Sequence, residues 1–397
     1  TALVYRGIKE SRNFSNVMVI LKMIVVALVI LVGGFLVFSN GLTGNWTPAN
    51  DLGVRSFMPN GFSGVMAAVS GVFFAYIGFD AVSVLAEESK NPQRDLPRGM
   101  ILSLVICTVV YILLTLVLTG AVNYHAFEGV GDPLAFIFEK QNLNVGWMQF
   151  FVAIAAVVAM TSVLLVFQMG QPRIWLSMSR DGLLPPVFQK IHPKYRTPSF
   201  STIVTGFVVG VPIFFTNKTF VLDFTSIATL FAFVLVCGGV LLIPRREKEP
   251  GKFHIPFING QFIFPLIIIG SLTILYLFNN NYFNEISTFH LTEAESKAAV
   301  AGLDITKPLI IQNNLDAALT AKQTLNVSTI IFWISCFFIS ILAFVKKYSL
   351  IPLLGLTTCM YLLTGMTSRN WAWFASWLFI GLIIYLLYGY RKSKLAS

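Results

Sequence analysis

Ten stretches of roughly 17 to 25 residues in this chain are almost wholly apolar, and short polar connectors separate them. They run near 14–38, 62–86, 99–121, 147–171, 200–216, 223–243, 261–278, 328–345, 349–366 and 372–390. An α-helix rises 1.5 Å per residue, so each run can cross the about 30 Å of hydrocarbon in a bilayer. The pattern predicts an all-α polytopic membrane protein with about ten transmembrane helices. One long polar stretch, 279–327, interrupts the series with Glu293, Glu295, Lys297, Asp304, Lys307 and Asp316. It reads as an extracytoplasmic loop, in which Thr292 could cap a short helix.

The connectors assign a direction. With the N-terminus in the cytoplasm and the spans alternating, the inner segments hold 19 of the 28 Lys and Arg, and the outer ones 7. The inner set includes Arg180, Lys190, Lys194 and Arg196, then Arg245 to Lys252, then Arg391, Lys392 and Lys394. Lys22 falls inside a span, and Arg173 at the end of one. Positive charge near span ends stays on the cytoplasmic side. The expected setting is therefore the cytoplasmic membrane, with the C-terminus inside.

Composition mainly excludes. Of 397 residues, 56% are hydrophobic and 12% charged, about half the charge of an ordinary soluble domain. Lipid must be the solvent for much of this surface. The net charge of +10 sits in connectors rather than along one polar face, so no nucleic-acid partner is expected. Cys107, Cys237, Cys336 and Cys359 lie within apolar runs as small packing residues, and His125, His192, His254 and His290 lie in connectors. Neither a metal site nor a catalytic dyad is visible, so no cofactor and no enzyme are expected. The chain begins at Thr1 rather than Met, with no signal peptide before the first span, and an incomplete chain is expected.

The second span departs from plain lipid-facing helix at Phe74-Ala75-Tyr76-Ile77-Gly78-Phe79-Asp80. A carboxylate at mid-membrane costs several kcal/mol unless it faces protein or water. Gly78 frees the backbone, and Asp80 with Ser83 looks like a fresh helix start. Two readings stay open here. One is a broken helix lining a cavity, as in transporter sites; the other is a continuous helix whose Asp makes one buried hydrogen bond. Past Glu87-Glu88, Asn91-Pro92 ends the span, and Asp95 is placed to cap the next helix, with Pro97 in its first turn. Lys22, about 12 Å into the first span, either snorkels to the surface or stands as a fixed charge in the bundle. Thr161-Ser162 in the fourth span either bond their own backbone or face that ammonium. Gly170-Gln171-Pro172-Arg173 marks a kinked inner end, before a structured loop.

These motifs, with Asn91-Pro92-Gln93-Arg94, the run Met178 to Pro185 and the opening Arg6 to Ser11, resemble the amino acid–polyamine–organocation (APC) superfamily. The likeness is to its cationic-amino-acid-transporter-like branch and covers about 1–245 and 349–397. It implies a LeuT-type fold of two inverted five-helix repeats. Residues 1–38 would then close the first repeat, whose first four helices this chain lacks, and 62–243 would form the second. Residues 244–347 would insert two helices and the polar loop, and 348–397 would be accessory helices. The resemblance further implies that backbone around Phe74, Ala75 and Ile77 receives a substrate α-ammonium, with Gly78, Phe79 and Asp80 completing the break and Phe74 gating it. Lys22 would stand where a second sodium ion binds in relatives and take part in proton coupling, with Thr161 and Ser162 facing it.

The function so implied is secondary active transport of an L-amino acid, by proton symport and alternating access. A sodium-coupled symporter or an exchanger is the near alternative. A polytopic membrane enzyme or a receptor is the rival from another class. The bilayer and the amino acid are the expected partners.

Overall fold

The computed structural model describes residues 1, 4–5, 8–48, 55–58, 65, 68–69, 71–80, 89, 91–243, 256–278, 282–290, 296 and 308–393. Among these, helix is the only extended regular structure, beside isolated single-residue pairings such as Asn259 with Ser349. Seven helices are long and apolar enough to cross a membrane: Asn16–Ser39, Pro92–Ala121, Gly146–Arg180, Lys218–Leu242, Gly260–Leu277, Asn314–Lys346 and Ser368–Lys392. Two shorter apolar ones are Ser199–Phe214 and Leu350–Thr364. The most apolar stretch of each long helix is only 6% to 22% buried within the chain. Phe35 and Leu266, exposed by more than two thirds, are typical of the outward faces. Water would not tolerate that surface, so the polytopic all-α membrane class stands.

The chain packs as two compact units. Thr1–Val65, Gly78–Thr216 and Leu382–Ser397 form one; Met66–Ile77 and Asn217–Gly381 form the other. In the first unit, α1 (Ile8–Leu28) continues through one wider turn, Val29–Gly33, into Gly34–Ser39. It packs along α3 (Gly146–Arg180) and against α2 (Pro92–Ala121), while α4 (Ser199–Gly210) lies on α3. The connector 122–145 is not a bare loop. Asp132 caps a one-turn helix through Oδ1, which accepts the Ala135 N–H at 3.3 Å, and Pro133 takes the first helical position. This turn drives Ile137 and Phe138, both fully buried, into a core with Val29, Val37, Val117 and Met148.

The α1–α2 approach depends on the absence of a side chain. A Cβ on Gly120 would sit 2.9 Å from Val37 Cγ1 and 3.0 Å from Trp46 Nε1. Trp46 Nε1 also donates to the Leu116 carbonyl at 2.8 Å, and Asn45 Nδ2 donates to the Gly120 carbonyl at 2.8 Å. These bonds satisfy carbonyls in the last turns of α2. Gly120→Val should therefore destabilise the folded protein by about 2 kcal/mol through overpacking. A lowered melting temperature in detergent checks this, and an unchanged one would refute it.

In the second unit, α5 (Lys218–Leu242) packs on α8 (Leu350–Thr364), and α6 (Gly260–Phe278) on α7 (Pro308–Lys346). One core gathers Ile227, Leu230, Leu362, Leu363, Met366 and Phe374; the last lies on α9 (Ser368–Ile384). A second core joins Phe264, Ala343 and Leu353.

Three boundaries differ from the sequence reading. Helix α2 begins at Pro92 rather than after Asp95, because proline suits the first helical position; Asp95 then lies in the first turn and Pro97 inside the helix. Helix α3 runs through Pro172 to Arg180. Part of the supposed loop 279–327 is helix: α7 starts at Pro308 and has 39 residues, about 58 Å. Its polar part is braced by Tyr282 to Phe289, for Asn326 Nδ2 donates to the Thr288 carbonyl at 2.8 Å and Trp333 Nε1 to Tyr282 Oη at 3.1 Å. The Thr292 cap lies outside the described residues.

Candidate functional site

The second span is not a continuous α-helix. Gly71 and Val72 are helical, Phe73–Tyr76 tightens into a 3₁₀ turn, and the Ile77 N–H reaches the Phe74 carbonyl at 3.1 Å. Ile77 is then extended, with φ −62° and ψ 133°, and Gly78 takes φ +117°. An L side chain rarely adopts that φ, so glycine is what lets the chain leave the helix here. A Cβ would find room, meeting only Phe167 Cζ at 3.9 Å. The requirement is conformational. Phe79 and Asp80 follow in the same turn, both half-buried and both with partners. The proposed second half of the span, through Ser83 and Glu87-Glu88, lies outside the described residues.

The sequence-selected residues Phe74, Ala75 and Ile77 thus lie on the 3₁₀ side of the break, and Gly78, Phe79 and Asp80 beyond it. The chain passes from one compact unit to the other at the Ile77–Gly78 bond. On the near side the anchor is Phe73, not Phe74. Phe73 packs into the core with Ile227 and Leu230, edge-to-face with Phe233 at 6.3 Å, whereas Phe74 is 38% exposed. Two adjacent phenylalanines in an apolar run give no sign of which is held. On the far side, Phe167 of α3 stands opposite Gly78, and no signal in the sequence marks it.

Lys22 lies half-buried on α1, within the unit where α1 and α3 pack together. On α3 the two hydroxyls part. Ser162 is buried at 1% exposure, while Thr161 is exposed and donates to the Val157 carbonyl of its own helix at 2.9 Å. Consecutive helical positions point about 100° apart, so one hydroxyl turns in and its neighbour out. Another carboxylate escaped the sequence reading. Asp223 sits beyond the first turn of α5, and its Oδ2 accepts the Nδ2–H of Asn370, a 4%-exposed residue of α9, at 2.9 Å. Reading that span from 223 onward made this acid look like a boundary.

A cleft of the first unit is lined by Val4, Met169, Pro172, Arg173, Thr197, Pro198 and Thr202, none of them in the unwound segment. Among the described residues, no three His, Cys, Asp or Glu converge as a metal would need. What the unwound segment presents is main chain in 3₁₀, extended and positive-φ geometry, in a span that is otherwise apolar. Peptide groups in broken spans bind small charged solutes without a charged side chain.

A model of the family described as amino acid permease matches residues 1–294, and a second, described as the C-terminus of AA_permease, matches 348–393. The chain belongs to the amino acid permease family. This agrees with the likeness carried by Phe74 to Asp80 and Asn91 to Arg94. Over 283 residues it is 40% identical to the Branched-chain amino acid permease BcaP of Bacillus subtilis (strain 168), covering 69% of this chain and 58% of that protein. It is 39% identical to the Methylthioribose transporter of the same organism over 273 residues, 68% of this chain and 55% of the relative. It is 30% identical to Cationic amino acid transporter 2, vacuolar, of Arabidopsis thaliana across 100% of this chain and 68% of the relative. The chain spans under three fifths of the length of the two bacterial relatives.

Proposed function

We propose that the full-length protein is a secondary active transporter of L-amino acids, working by proton symport and alternating access in the cell membrane with its C-terminus in the cytoplasm. The observation that carries this reading is the unwinding at Ile77–Gly78 inside an apolar span of a permease-family chain. A zwitterion is hard to desolvate, and main-chain dipoles replace its hydration without adding a net charge to the membrane. Carbonyls near Phe74, Ala75 and Ile77 receive the ammonium, and the exposed Phe74 ring closes over the solute. Lys22 supplies a fixed positive charge in the place where a sodium-driven relative would hold its ion. The LeuT-type inverted repeat, with 1–38 ending one half and 62–243 forming the other, gives the frame for that motion. Such a site moves its solute unaltered, so the protein is a carrier rather than an enzyme.

The test is counterflow. Proteoliposomes of the full-length protein, preloaded with an unlabelled amino acid, should accumulate labelled leucine or arginine above protein-free vesicles. No accumulation of any amino acid would overturn the proposal. A second reading rests on the relative named for methylthioribose: accumulation of that thioether sugar alone would keep the carrier and replace the substrate class.

A further inference from the structure

The clearest unexplained feature is a set of cations that the sequence separates by about two hundred positions and the first unit brings together. The connector after α3 is held by side-chain bonds and ring contacts. Ser179 Oγ donates to the Pro185 carbonyl at 2.7 Å, Ser201 Oγ donates to the Phe188 carbonyl at 3.0 Å, and Trp175, Phe188 and Phe200 stack edge-to-face at 5.3 and 5.1 Å. Two backbone bonds of 2.8 Å, His192 N–H to the Thr197 carbonyl and Arg196 N–H to the His192 carbonyl, close its far end into a tight loop. Arg196 is held there at φ +53°. Lys190, Lys194 and Arg196 are all exposed on this connector, next to the half-exposed apolar Ile191.

The other cations come from the chain's last helical turns. The rod of α9 continues through Tyr385–Gly389 to Lys392, and these turns belong to the first unit. They lie against the connector so closely that a Cβ on Gly182 would collide with the Lys392 carbonyl, while Gly389 faces the Leu183 carbonyl. Arg391 and Lys392 are exposed, and Lys392 Nζ lies 5.4 Å from the centre of the Tyr388 ring. These five exposed cations thus share one end of the unit, beside the exposed Arg180 in the last turn of α3, which has a partner of its own. Asp181 is the only acid in 179–197, and 382–393 contains none. Arg391 and Lys392 end an apolar rod, Arg196 lies three residues before α4, and Lys190 and Lys194 stand on the short connector between two apolar helices. Connectors of this kind meet lipid headgroups at the membrane surface.

We infer that Lys190, Lys194, Arg196, Arg391 and Lys392 form a binding collar for anionic phospholipid headgroups, assembled by docking of the C-terminal turns onto the α3–α4 connector. Lysine and arginine close to an anionic leaflet each contribute attraction, and a fixed cluster concentrates it at one place. Ile191 and the Tyr388 ring add apolar contact at headgroup level. The collar is independent of the transport reading and needs only that the chain spans a bilayer.

The test reads bound lipid rather than transport. Full-length protein, reconstituted in equal phosphatidylglycerol and phosphatidylcholine and re-extracted in mild detergent, should retain phosphatidylglycerol enriched several-fold over the mixture. Replacing the five cations by Gln should return the retained lipid to near the bulk ratio, whereas replacing Lys140, Lys218 and Lys322 should not. Gly182→Val leaves every charge in place but displaces the docked turns, and should lose most of the enrichment while the protein stays monodisperse. Undiminished enrichment in the five-Gln protein, or equal loss in the Lys140, Lys218 and Lys322 protein, overturns the collar. Undiminished enrichment in Gly182→Val overturns its assembly from two segments.

Discussion

Replacing Gly78 with alanine should cut solute uptake by the full-length protein about tenfold to a hundredfold, with the protein still inserted in the membrane. The reasoning separates shape from space. A methyl group at this position would make only an ordinary contact with Phe167 Cζ at 3.9 Å, so crowding is not the obstacle. The obstacle is φ +117°, which costs a residue with a Cβ about 1–3 kcal/mol. Since about 1.4 kcal/mol is a factor of ten, alanine shifts the segment toward other backbone geometries by one to two orders of magnitude. Carbonyls near Ile77 then point elsewhere. Gly71→Ala is the matched control: Gly71 is helical and has open space around it, and alanine favours helix. Initial uptake rates, normalised to protein in the vesicles, decide the matter. Equal loss in both variants, or wild-type uptake by Gly78→Ala, would mean that the broken geometry is not what binds solute.

Lys22→Ala should abolish accumulation against a gradient while leaving exchange intact. In a one-to-one proton symport each pH unit across the membrane is worth about 1.4 kcal/mol and sustains about tenfold accumulation. Without the ammonium, the variant should equilibrate solute at a ratio of about one, yet still swap labelled for unlabelled solute in counterflow. That split distinguishes lost coupling from lost binding or folding. Snorkelling, the competing account of a lysine in the first span, predicts full concentrative uptake by the variant. Should the unmodified protein need sodium and ignore pH, the coupling ion is reassigned.

What the sequence made legible follows from length and dielectric. Apolar runs of bilayer length can hardly be anything but spans, and among the described residues every run but 62–86 holds an apolar helix. A glycine two residues before a carboxylate in such a run singled out Gly78 but left a broken and a continuous helix both open, because spacing alone does not set φ; the backbone there decides for the break. Side-chain facing was less legible. Ser162 and Thr161 are equivalent as letters, and only the packing of α3 buries one and exposes the other. Phe73 and Phe74 likewise differ only through Phe233 and Ile227 on α5. Helix ends were the least legible. Residues 308–327 carry Leu, Ala, Gln and Lys, good helix formers, but no apolar run, so a search for hydrophobicity stopped at 328.

That extension of α7 has a mechanical consequence. A rod of about 58 Å cannot be immersed in about 30 Å of oil, and its Asn-, Asp- and Gln-bearing turns must stand in water. The segment from Tyr282 to Phe289 is bonded to its lower part, at Gln323, Asn326 and Trp333. Upright in a bilayer, such a rod would leave about 28 Å of helix outside the hydrocarbon, so this span carries its own soluble projection as a continuation of one helix.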